Sequence, residues 1–138
     1  MRIVENPDPP LVQHFLDNLK SELNSFRYFD KRPVSIIENH LCTLLLMDGS
    51  LPIAYGHLDP EAGKLWLGIA VMREYQGKKL GFKMMEELMK RAKDNDEKEI
   101  HLTVDKSNSN AIALYKKFNF KFLKRLNGQV ELYCRTLD

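Results

Sequence analysis

The chain has 138 residues but few of the features that mark special classes of protein. Two cysteines, Cys42 and Cys134, are too few and too far apart to suggest a disulfide framework. They read as reduced core residues of a cytoplasmic protein. The four histidines form no H-x-x-x-H, and there is no C-x-x-C, so spacing supports no metal ligand set. Long apolar runs are also missing. Leu41 to Met47 and Leu65 to Met72 fall far short of the roughly 20 residues needed to cross a bilayer, which excludes a membrane-spanning helix. The opening M-R-I-V-E-N-P-D-P-P brings acids and prolines before any apolar stretch. No signal peptide is therefore expected, and the mature chain is expected to begin here. No stretch rich in Gly, Ser or Pro divides the sequence and no repeat is visible, so residues 1–138 read as one domain.

A single dominant charge is absent too. The net charge is only +2, and with 43% hydrophobic residues the chain has enough apolar material for a core, which excludes a disordered protein. That small sum hides an asymmetry. Residues 1–63 carry 5 Lys and Arg against 9 Asp and Glu, while residues 64–138 carry 16 against 10. The basic excess gathers at Lys78, Lys79 and Lys83 and again at Lys116, Lys117, Lys121, Lys124 and Arg125. It reads either as solvated surface or as an anion site. Aromatics are not interleaved with these lysines on an evident open face, which argues against a nucleic-acid-binding module.

Periodicity lays out the elements. Arg2 to Glu5 suits a short edge strand, and Asp8 with Pro9 and Pro10 starts a helix running to about Ser21. Ser25 to His40 is ambiguous, with a short helix near Ser35 to Asn39. Leu41 to Met47 and Leu51 to Leu58 flank Asp48-Gly49-Ser50 as a hairpin. A turn at Asp59 to Gly63 leads into a third strand, Lys64 to Met72. Lys79 to Lys93 is a helix with Leu80, Met84, Leu88 and Ala92 as its apolar stripe. Glu99 to Val104 is a strand, and Ser107 or Asn108 caps a short helix carrying Ala111, Leu114, Tyr115 and Phe118. Phe120 to Leu126 and Val130 to Leu137 form a second hairpin around Asn127-Gly128. The expected fold is α/β (α+β): a mixed, mostly antiparallel sheet of about seven strands with helices on both faces.

The strand L-W-L-G-I-A-V-M, then R-E-Y, then Q-G-K-K-L-G opening the long helix, is the most informative junction. A strand, a glycine-bearing turn and a helix N-terminus leave several backbone N–H groups converging, and the helix dipole adds positive potential. Phosphate or pyrophosphate is the natural guest, with the lysines as mobile counter-charge. The spacing fits neither a P-loop nor a dinucleotide fingerprint.

These residues resemble the GNAT superfamily of N-acetyltransferases. Ile69-Ala70-Val71 matches the family's strand end, Gln76 its Gln or Arg, and Gly81 its last small residue, with Gly77, Lys78 and Leu80 in the same turn. Lys79 departs from the pattern by standing at the middle glycine position. A second block, V-D-K-S-N-S-N-A-I-A-L-Y-K-K-F-N-F, is similar to the family's strand, Asn and A-I-x-L-Y run, with Asn119 in place of a Gly. The two blocks cover Lys64 to Phe122.

The resemblance implies acetyl-CoA as co-substrate and a primary amine as acceptor, joined by direct attack in a ternary complex. Residues 69–71 and 76–81 would bind the cofactor together with Asn108, and a backbone N–H near the strand end would polarise the thioester carbonyl. Tyr115 is implied as the general acid that protonates the departing thiolate. Where many relatives carry a Glu as base, this chain has Trp66, which either lines the acceptor pocket or fills the core. His57 and Asp59 are the substitute base candidates, with His101 and Asp105 behind them. A non-catalytic acyl-CoA-binding or sensing domain is the alternative reading, and a homodimer through the last hairpin stays open.

Overall fold

The computed structural model describes residues 1–19 and 26–137. The end of the first helix expected near Ser21 lies outside these residues. The chain runs β1 (Arg2–Glu5), α1 (Pro9–Leu19), 3-10 turns at Tyr28–Asp30 and Val34–Asn39, then β2 (Cys42–Asp48), β3 (Leu51–Glu61) and β4 (Lys64–Val71). After a further 3-10 turn at Arg73–Tyr75 follow α2 (Leu80–Asp94), β5 (Glu99–Asp105), α3 (Ser109–Lys117), β6 (Lys121–Arg125) and β7 (Val130–Thr136). The seven strands form one sheet in the order β1-β2-β3-β4-β5-β7-β6. All neighbours are antiparallel except β4 and β5. The parallel pair is joined through α2, since a parallel connection needs a long crossover.

α1 and α2 cover opposite faces. The apolar face of α1 buries Val12, Phe15, Leu16 and Leu19, and Phe15 stacks on Tyr55 of β3 at 6.0 Å. α2 buries Leu80, Met84, Met85, Leu88, Met89 and Ala92 on the other face. It approaches β3 so closely that a Cβ at Gly56 would stand 2.7 Å from Met84 Sδ. Only glycine lets the helix lie on the strand there.

Two boundaries and one burial differ from those the sequence suggests. β3 continues through Asp59, Pro60 and Glu61, which pair with Trp66, Leu65 and Lys64. The turn shrinks to Ala62 and Gly63, both at positive φ (54° and 76°), the backbone of a tight two-residue hairpin. Asp59 is therefore a strand residue. The last hairpin does not use Asn-Gly as a two-residue turn. Its longer loop is tied by Asn127 Oδ1, which accepts from the backbone N–H groups of Gln129 and Val130 at 2.8 and 3.0 Å. Of the two cysteines, both free, Cys42 is buried as expected but Cys134 is only half-buried.

The feature that shapes the site is the poor union of β4 and β5. They share one registered pair, Trp66 with His101. Beyond it β4 remains fully paired to β3, Gly56 with Ile69 and Ala54 with Val71, but its other edge is open. Backbone groups on that edge lack a sheet partner, and they border a cavity of about 1300 Å³.

Candidate active site

The cavity runs from the start of α2, along residues 67–71 of β4, to an aromatic and acidic end bounded by Tyr28, His57, Asp59 and Trp66. Tyr115 and Asn108 of the α3 region and Thr103 to Asp105 of β5 form the facing wall.

At the α2 end the chain folds into a cradle. Gly77 takes φ +79°, and Lys79, the N-cap of α2, takes the left-handed φ 62°, ψ 22°. A glycine is the ordinary occupant of such a position, so the backbone adopts the shape the glycine-bearing motif needs even though the residue is Lys. The N-cap Lys79 makes no side-chain cap hydrogen bond to α2. The first turn therefore offers unpaired N–H groups at Leu80, Gly81 and Phe82, which line the cavity. Gln76 does not point into open space: its Nε2 donates to the Val71 carbonyl at 3.1 Å and fixes the loop to the strand end. Gly81 allows close approach of α3, because a Cβ there would sit 3.1 Å from Leu114 Cδ2. Lys79 borders the cavity, but Lys78 does not; its Nζ lies 5.2 Å from the centre of the Tyr75 ring.

On the facing wall Asn108 caps α3, its Oδ1 accepting from the Ala111 N–H at 3.3 Å. Tyr115 follows two turns later and is only 7% exposed. Its hydroxyl makes no hydrogen bond among the described residues. Burial pushes its pKa well above the usual phenol value, so the proton stays on oxygen at neutral pH.

The far end holds a network that strand register assembles. Tyr55, His57 and Asp59 alternate onto one face of β3. His57 is 2% exposed and Asp59 3%. Tyr55 Oη lies 2.6 Å from His57 Nδ1. This buried hydroxyl has no other partner among the described residues, so its proton is assigned to that bond. The ring's own proton then sits on Nε2. Burial holds His57 well below the usual histidine range, first by desolvation and then by the nearby His40 and Arg32. The ring lies directly over Gly68, where a Cβ would be 2.6 Å from Nε2.

Asp59 Oδ2 accepts from the Tyr28 hydroxyl at 2.7 Å, and the Tyr28 hydroxyl oxygen is also 2.7 Å from His40 Nε2. His40 Nδ1 lies 2.9 Å from Thr43 Oγ1, which completes a chain of four groups. Asp59 has no ion pair among the described residues. Arg32, whose guanidinium lies 4.3 Å from the centre of the Tyr28 ring, is engaged with Glu61 at 3.1 Å and with the Tyr28 carbonyl at 2.9 Å. Arg27 bridges to Asp105 at 3.0 Å across the cavity wall. Trp66 fixes its indole N–H on the Glu61 carbonyl at 2.9 Å and turns its ring to His101 at 5.6 Å.

The structure thus brings Tyr115, His57, Asp59, residues 69–71, Gln76, Gly77, Lys79, Leu80, Gly81 and Asn108 to one cavity. It leaves out Lys78 and His101, and Asp105 is spoken for by Arg27. Sequence reasoning missed Tyr28, the residue that holds Asp59. Its only signal was the aromatic run Phe26, Tyr28, Phe29 inside an otherwise ambiguous segment.

A strand edge left open beside a helix N-terminus, with a free tyrosine hydroxyl opposite, defines the class, and comparison with known proteins agrees. The chain belongs to the Acetyltransferase (GNAT) family, whose pattern matches residues 9–120. An N-alpha-acetyltransferase from Saccharolobus solfataricus is 46% identical over 63 residues, which is 45% of this chain and 38% of that protein. A spermine/spermidine N(1)-acetyltransferase from Bacillus subtilis is 36% identical over 75 residues, 53% of this chain and 47% of that protein. The match therefore spans less than half of each of these relatives. The crystal structure of PaiA N-acetyltransferase from Thermoplasma acidophilum in complex with coenzyme A shares the fold with a TM-score of 0.78 at 19% identity, over 99% of this chain and 100% of that one.

Proposed function

We propose that residues 1–138 form one domain that transfers acetyl from acetyl-CoA to a primary amine. The observation that carries this reading is the single cavity that links an anion-binding helix start, an open strand edge, a protonated buried tyrosine and a buried carboxylate. The cofactor of the PaiA enzyme and the amine chemistry in the names of the curated relatives support it. Its free thiols suit a reducing compartment such as the cytoplasm.

The residues present fit acetyl-CoA. The N–H groups at Leu80, Gly81 and Phe82, with the dipole of α2 and the charge of Lys79, suit its pyrophosphate. The unpaired edge of residues 69–71 suits an extended arm that can accept and donate strand-type hydrogen bonds. When bound, the group supplies a thioester carbonyl open to attack by a neutral amine.

Tyr115 then acts at the leaving group. Its proton is retained by burial and its hydroxyl is committed to no other partner, so it donates as negative charge develops on sulfur. At the other end the acceptor arrives as an ammonium and must lose a proton. Asp59 is the better candidate of the two proposed bases. It is a buried carboxylate with no ion-pair partner among the described residues, a place that an incoming ammonium can fill. His57 is held neutral with its Nε2 proton toward the cavity, which leaves no lone pair there and makes it a hydrogen-bond donor to the acceptor or the carbonyl. The Trp66 ring at the cavity border favours a cationic acceptor, whereas the Tyr28 ring already carries the Arg32 guanidinium at 4.3 Å.

The test is Tyr115→Phe. Acetyl transfer measured across a panel of polyamines, amino sugars and peptides should fall by about 10²–10⁴-fold with CoA affinity unchanged. Binding of CoA by the wild-type protein with no turnover on any amine would favour a sensing domain instead.

A further inference from the structure

Outside the cavity, on the sheet, one buried side chain is left without its due. Among the described residues, His101 Nδ1 is the buried side-chain nitrogen or oxygen atom with no hydrogen-bond partner. A buried polar atom in that state costs about 1–3 kcal/mol; the other nitrogen of the same ring, Nε2, is the one turned to Glu99. His101 is 3% exposed. Its cross-strand partner in β7 is Cys134, so the two side chains stand together on one face of the sheet. Glu99, two residues earlier on β5, shares that face, and its Oε1 lies 3.4 Å from His101 Nε2. One ligand atom from each of the three residues lies within 4.8 Å of the others.

We propose that Glu99, His101 and Cys134 form a binding site for a zinc-class divalent cation, separate from the acetyl-transfer cavity. An imidazole nitrogen, a thiolate and a carboxylate are the donor types that zinc accepts, and three protein ligands leave a fourth position for water. Zinc's bond lengths are about 2.0–2.3 Å, so binding would draw the three side chains together from backbones fixed in adjacent strands. Glu99, with its side chain 57% exposed, provides the way in from solvent. One thiolate and one carboxylate balance the charge of the ion, and the Lys64 ammonium is the neighbouring charge that opposes it. Binding displaces the thiol proton to solvent, so affinity rises with pH. No spacing motif signals this site, because its ligands come from two strands distant in sequence.

His101 neighbours Trp66, the only tryptophan of the chain, whose ring is 5.6 Å from the imidazole and borders the acceptor end of the cavity. This supplies a readout that needs neither acetyl-CoA nor an acceptor. Metal-free protein is titrated with Co²⁺ alone while thiolate-to-cobalt charge-transfer absorption and Trp66 emission are followed. The expected result is one equivalent bound, with both signals changing together and both reversed by Zn²⁺. Cys134→Ser should abolish the absorption band. Glu99→Gln, at an exposed position that leaves the fold intact, should weaken binding by about tenfold or more. Absence of a charge-transfer band in the wild-type protein, its survival in Cys134→Ser, or unchanged affinity in Glu99→Gln overturns the site. None of these outcomes bears on the transferase reading, which stands or falls on Tyr115 and the acceptor panel.

Discussion

Gly68→Ala puts a single methyl group where the structure has no room for one. The added Cβ would lie 2.6 Å from His57 Nε2 and 2.8 Å from its Cε1, closer than carbon atoms approach in proteins. The imidazole cannot swing away cheaply. Its Nδ1 is held by Tyr55 at 2.6 Å, and its ring is packed between those of Tyr28 at 4.3 Å and His40 at 4.7 Å. Overpacking of this kind costs about 1–3 kcal/mol, and the tethered ring argues for the upper half of that range. The measurement is the urea unfolding midpoint at constant m-value. Gly128→Ala serves as control, because that position has nothing within 4 Å and no left-handed backbone. A double-mutant cycle isolates the cause. In a His57→Ala background the same methyl group should cost about 1 kcal/mol less or better, since the obstacle is gone. If Gly68→Ala is as benign as Gly128→Ala, or costs the same with and without His57, the packing argument is wrong.

Other variants probe the two ends of the cavity. Lys79→Gly should stabilise the protein by up to about 1 kcal/mol, as relief of the left-handed Lys backbone outweighs the freedom glycine adds to the unfolded chain; the unfolding midpoint reports it. Asn108→Ala should lose about 1 kcal/mol of helix-cap stability, whereas Asn108→Asp should retain the cap; thermal unfolding of both separates capping from any effect on CoA affinity measured in parallel. Stability should also depend on pH through His40, whose folded pKa is lowered to about 4 from 6.5 by burial and Arg32. Because the neutral ring is the one that fits the fold, this contribution is complete above pH 6.5 and declines progressively as pH falls toward 4. His57 adds in the same direction. A His40→Gln variant whose stability falls just as steeply over that range would contradict the assignment.

The order of elements was readable from the chain because each strand and helix carries a strong local pattern. The six buried positions on α2 repeat at helical spacing, and the strands alternate with turn residues between them. Where expectation and structure part, long-range geometry decides. Ala62 is not a residue that announces a tight turn, yet strand pairing forces it to positive φ and keeps Asp59 inside β3. The cradle at Gly77 and Lys79 was visible as a motif, but that Lys79 would adopt the glycine conformation was not, since its neighbours rather than its own preference set that backbone. The anchoring of Asp59 by Tyr28 joins residues from separate segments and leaves no trace in spacing. Lys78 shows what spacing leaves open: its position in the motif suggests phosphate contact, while its side chain lies over the Tyr75 ring.

The lone Trp66–His101 pair between β4 and β5 has a mechanical meaning. It divides the sheet into two panels, β1 to β4 on one side and β5, β7 and β6 on the other, tied at a single stitch on the sheet itself. An elongated guest lying along the open edge of β4 would act as a missing strand. It would convert two panels that can breathe against each other into one cooperative body. Occupancy would then be felt as stiffness across the whole molecule, far from any atom the guest touches.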